Sequence, residues 1–106
     1  MATKYLLSYH GGSVPTTEAE GAKIMAAWVA WFEKLGQAII DPGNPVAKAV
    51  TVASNGATSD GGGSNPVTGY SMILAESIDQ AVALTKDCPI LAAGGSIEIS
   101  ETFATM

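Results

Sequence analysis

The stretch Gly69–Ser100, GYSMILAESIDQAVALTKDCPILAAGGSIEIS, reads as a strand, a helix and a second strand. Tyr70 to Glu76 is an apolar run long enough for a strand and too short for a helix. Ser77 then opens S-x-x-Q: its hydroxyl can accept an orphan amide hydrogen bond while Gln80 reaches back to the cap backbone. Ile78, Ala81, Val82 and Leu84 recur at helical spacing, and Asp79 stands in the first turn, where the helix dipole favours an anion. Cys88-Pro89 stops the helix, because Pro disfavours a helical conformation in the residue before it. After the Gly94-Gly95 turn, Ser96–Ser100 alternates strictly, as a half-buried strand does.

Upstream, Lys4 to His10 reads as the first strand, with Tyr5, Leu7 and Tyr9 on one face and Leu6, Ser8 and His10 on the other. Thr17-Glu18-Ala19-Glu20 fits a capping box, and the helix it starts runs to a C-terminal cap at Gly36. Ile24, Trp28, Trp31 and Leu35 make one apolar stripe; Met25, Val29 and Phe32 make a second beside it, wider than one sheet contact requires. Gln37 to Ile40 is a short extended piece, and Asp41-Pro42-Gly43-Asn44-Pro45 is a turn. Val46 to Ala53 is again extended and β-branched. Residues 54–66, rich in Gly, Ser and Asn, read as a mobile loop or hairpin tip and a candidate lid.

The resulting order, βαββαβ, is the ferredoxin-like α+β pattern with an antiparallel sheet, one domain over residues 1–106. Both helices then lie on one sheet face, and a second sheet is the usual cover for the other. Composition agrees: 47% of the 106 residues are hydrophobic and 14% charged, an apolar excess that a homodimer would hide. A net charge of −5 with 5 Lys and Arg argues against nucleic acid as a partner. No run approaches the ~20 apolar residues of a membrane span, and the N-terminus lacks a secretory pattern. One cysteine, Cys88, allows no intrachain disulfide and fits a reducing cytoplasm.

Several segments together resemble the YCII-related proteins, small dimeric α+β barrel domains. They are the KYLLSYH opening, the DPGNP turn after the first helix, GY before the third strand and CPILAAGGSIEIS at the end. The resemblance implies a dimeric barrel and a group whose members act on small, often aromatic, molecules. Two departures stand out. Many relatives carry Asp-Gly-Pro-Phe in the middle loop, where this chain has Ser59-Asp60-Gly61-Gly62-Gly63. Another branch carries a helix histidine paired with an Asp; its place falls near Met25 here, which cannot transfer protons.

His10 is the one histidine, the side-chain type that by default titrates near neutral pH. At a strand end beside a glycine-rich turn, it is either bonded to a loop carbonyl as local structure or a site residue. Asp41 either closes an Asx turn or orients His10 as an acid partner. Glu98, on the polar face of the last strand, either guards an edge or lies beside Ser8 or His10 as a counter-charge. Ser8 and Tyr70 can line the same pocket as hydroxyl donors. Cys88 reads as a buried thiol. No Cys/His spacing suggests a metal, and Gly61-Gly62-Gly63 lacks the Lys-Ser/Thr of a phosphate loop.

Two functions stay open on these residues, beside a third reading, a dimer with no ligand in which every polar residue named above is structural. One is a homodimer that acts on a small organic molecule by acid–base chemistry, isomerisation or elimination, with catalytic His10, Asp41 and Glu98, ligand-binding Ser8 and Tyr70, and no cofactor. The other is a non-catalytic subunit whose pocket only holds a ligand.

Overall fold

The computed structural model describes residues 2–104. Its strands are β1 (Thr3–His10), β2 (Ile39–Asp41), β3 (Val50–Val52), β4 (Thr58–Asp60), β5 (Val67–Ala75) and β6 (Ser96–Glu101). The helices are α1 (Glu18–Leu35), α2 (Ile78–Thr85) and the single turn α3 (Pro89–Ala92). β1 is an interior strand of the sheet and alternates: Tyr5, Leu7 and Tyr9 are buried toward the helices, and the residues between them point the other way. It pairs antiparallel with β5 and β6, and β2 closes the far edge, giving the order β2-β5-β1-β6. This is the antiparallel ferredoxin-like sheet.

Both long helices begin as their sequences dictate. Thr17 Oγ1 accepts from Glu20 N–H at 3.1 Å and Ser77 Oγ from Gln80 N–H at 3.1 Å. The reciprocal bonds land one residue before the caps: Thr16 N–H donates to Glu20 Oε2 at 2.8 Å, and Glu76 N–H to Gln80 Oε1 at 2.5 Å. The Thr16 bonds hold the Glu20 carboxyl below the usual carboxylate range. α1 buries Trp31 and Leu35, with Trp28 and Phe32 partly covered. Trp31 Nε1–H donates to Leu84 O at 3.2 Å, tying α1 to α2. In the second stripe, Met25 and Val29 face solvent.

Three expectations are corrected. The α2 helix ends at Thr85, and Pro89 starts a new turn at its first position instead of merely stopping the old one; Pro fits there because that N–H has no partner in any case. The extended segment 46–53 contributes only β3, which pairs with β4 in a separate two-stranded hairpin and not with the main sheet. The loop 54–66 therefore contains a strand of its own. β2 also starts later than its apolar residues suggest, after a 3-10 turn over Gly36–Ala38.

Gly43 is fixed by its surroundings. Its φ is +72°, and a Cβ there would stand 1.8 Å from Tyr70 O, so only glycine lets the Asp41–Pro45 turn lie against β5. The backbone spans 45 × 43 × 18 Å. Packed layers lie about 10 Å apart, so the short dimension holds one sheet and one helix layer. The face carrying Leu6, Ser8, Tyr70, Met72 and Leu74 is left without a third layer.

Candidate functional site

The open face gathers four of the five polar residues singled out from the sequence. Ser8 stands opposite Glu98 on β6 and opposite Tyr70 on β5, so the three form a row across the sheet. His10 lies two residues further along β1 on the same face. Its Nε2 is 3.1 Å from Glu98 Oε1. The other ring nitrogen, Nδ1, is 3.0 Å from Asn65 O and 3.2 Å from Pro66 O.

A carbonyl only accepts, so Nδ1 carries a hydrogen and shares it with the 65–66 carbonyls. The Nε2–Oε1 approach is then a hydrogen bond only with one further proton between imidazole and carboxylate. The two ends differ in exposure: the His10 side chain is 8% accessible and that of Glu98 66%. Oε2 of Glu98 has no hydrogen-bond partner among the described residues.

Local backbone irregularity makes the pair possible. The β1–β5 register slips between Tyr9, opposite Gly69, and His10, opposite Val67, with Thr68 the extra residue. Thr68 Oγ1 bridges the Tyr9 and Gly11 carbonyls at 3.2 and 3.1 Å. Bulges of this kind re-aim side chains and end pairing; here Asn65 and Pro66 close over the His10 ring. On the other side, a Cβ at Gly95 would lie 2.6 Å from His10 O. The missing side chain lets β6 start close beside the end of β1.

Asp41 does not join the group. Its Oδ1 accepts from Gly43 N–H at 2.8 Å, an Asx turn, and β5 separates its strand from β1. Tyr70 keeps its place on the open face, its hydroxyl at a long 3.5 Å from Asn44 Nδ2. The Asn65 and Pro66 carbonyls are the loop carbonyls of the local-structure reading of His10, and no side-chain pattern says which residues supply them. On the helix face, Tyr9 OH donates to Ser71 Oγ at 2.7 Å and Ser71 Oγ–H donates to Pro42 O at 2.7 Å. Burial raises the Tyr9 phenol and pushes the Cys88 thiol up to about 11, which keeps both protonated near neutral pH. No group of three or more His, Cys, Asp or Glu that could hold a metal ion occurs among the described residues.

No protein-family model matches the chain, and no curated protein matches it. A solved structure does. It is the 5-chloro-2-hydroxyhydroquinone dehydrochlorinase of Burkholderia phenoliruptrix AC1100 in complex with 2,5-dihydroxybenzoquinone, with a TM-score of 0.56 and 19% identity over 94% of this chain and 93% of that one. At that identity the likeness is one of architecture: the chain is similar in fold to this enzyme, as a ferredoxin-like α+β protein.

Proposed function

We propose that this protein acts on a small organic molecule by cofactor-independent acid–base chemistry, with Glu98 as the group that meets the substrate and His10 as its buried partner. The observation that carries the reading is the 3.1 Å contact between His10 Nε2 and Glu98 Oε1, with Nδ1 held by backbone. A carboxylate whose Oε1 takes a hydrogen bond from the imidazolium keeps Oε2 for a substrate proton. That proton leaves a carbon or hydroxyl of the substrate, and the electron pair it leaves behind either expels a group from the adjacent atom or shifts so that the proton returns elsewhere. Elimination and isomerisation are these two outcomes. Ser8 and Tyr70, in line with Glu98, are placed to orient such a substrate.

The same reading includes a homodimer that covers the open sheet face, residence in a reducing cytoplasm, and membership of the YCII-related group. Support comes from the uncovered two-layer architecture, the single buried cysteine and the ordered run of sequence resemblances. The fold likeness to an enzyme of a small hydroxylated aromatic suggests the first substrate class to try. A second reading, a subunit that holds a ligand without turning it over, is favoured by one observation: the His10 ring is nearly sealed and anchored by two carbonyls, as a structural histidine is.

The test is to incubate the purified protein with hydroxylated and chlorinated hydroquinones, following chloride release and the ultraviolet spectrum, while light scattering reports the mass. The expected result is a dimer with turnover that falls by about 100-fold or more in Glu98→Gln. Saturable binding without turnover would select the ligand-holding reading. A monomer that neither binds nor converts any of them would sink both.

A further inference from the structure

On the opposite side of β1 from the His10–Glu98 pair, a cleft of about 320 Å³ opens between α1 and α3. That volume is at the small end of ligand pockets, roughly 300–1,000 Å³. Its walls follow from the sequence. Lys23, Ile24, Ala27 and Trp28 are spaced i, i+1, i+4 and i+5, one face of α1, while Ile90 and Ala93 come from the turn that Pro89 starts. The alanines make the hollow. Trp28 supplies an aromatic wall that is half-buried and braced by its neighbours: its ring meets Tyr9 edge-on at 5.1 Å, Trp31 at 5.8 Å and Phe32 at 5.7 Å. Lys23 stands at the rim with no ion pair among the described residues.

We infer that this cleft binds a small planar aromatic anion, its ring against the Trp28 indole and its charge toward the Lys23 ammonium. An apolar hollow with one rigid aromatic wall selects a flat apolar body. A single unpaired cation at the mouth selects one negative group, a carboxylate or phenolate. The small volume limits the ligand to about one ring with short substituents. The site is separate from the His10–Glu98 pair and does not depend on its role.

Benzoate and the neutral benzyl alcohol are the probes, titrated into the ¹⁵N-labelled protein. Benzoate should saturably shift the Trp28 indole N–H and the amides of Ala27, Ile90 and Ala93, and the Trp31 indole, tied to Leu84, should move less. Lys23→Gln should weaken benzoate by about two- to fivefold, the range of an exposed ion pair, and leave benzyl alcohol unchanged. Ala27→Leu, or Ala93→Val should the first variant not fold, fills the hollow and should remove both. Shifts that do not saturate, benzoate affinity indifferent to Lys23→Gln, or shifts centred on Ser8, Tyr70 and Glu98 would each overturn the assignment.

Discussion

The two faces of the main sheet carry polar groups of similar kinds and use them differently. On the helix side Tyr9, Ser71 and Trp31 are buried, and each polar atom is spent on a short internal bond: Tyr9 to Ser71, Ser71 to the Pro42 carbonyl, Trp31 to the Leu84 carbonyl. On the open side, the Glu98 carboxylate is mostly in water and has one oxygen without a partner among the described residues, beside a histidine. Strand alternation alone separates the two sets. What the difference teaches is that a hydroxyl in this fold is spent on an internal bond or left toward the open side according to the face it lands on and the layer above it, not according to its type.

That contrast can be broken from its strong side. Trp31→Ala removes a side chain only 3% exposed and should cost about 3–5 kcal/mol in denaturant unfolding; a loss below ~1 kcal/mol would mean the helix layer is not packed as described. Ser71→Ala leaves the Tyr9 hydroxyl and the Pro42 carbonyl without their shared partner and should cost about 1–3 kcal/mol. Adding Tyr9→Phe to it should then cost less than the two separate losses together, since both report one chain of bonds. The weakest effect is expected on the open side, where Glu98→Gln should change stability by less than about 1 kcal/mol. A cost comparable to that of Trp31→Ala would show that Glu98 holds the buried His10 as part of the packed structure, which erases the contrast between the two faces.

Elements with local signals were legible in the sequence. Thr17 and Ser77 cap because a hydroxyl followed by Glu or Gln satisfies orphan amides within four residues, and the chain needs no distant information to do so. The β1 alternation and the strand from Ser96 carry their own period, and placing β6 beside β1 puts Glu98 next to Ser8 and His10. Less legible was anything decided between segments. Val50 and Val52 have strand propensity, but which strand they join is set by the 58–60 segment folding back on them. Asp41 carried a signal for a turn and a slightly weaker one for a site, and its own backbone is the nearer partner. The carbonyls that clamp His10 come from Asn65 and Pro66, where the bulge at Thr68, invisible in composition, directs the chain.

The pairing of β1 also sets the schedule on which this chain can fold. Its partners are residues 67–75 and 96–101, so β1 leaves the ribosome with no neighbour until residues 67–75 have been made. In the interval, the nascent chain carries an unpaired strand with Tyr5, Leu7 and Tyr9 bare, followed by a helix whose Trp28, Trp31 and Phe32 have nothing to cover. Both loop closures are long and cost entropy before any contact rewards them. Before β1 is captured, β5 and β6 share only their packing against α2, because β1 is the strand that lies between them. Exposed apolar surface during that wait is the fold's vulnerable period, and association with another nascent copy is the route by which it would go astray.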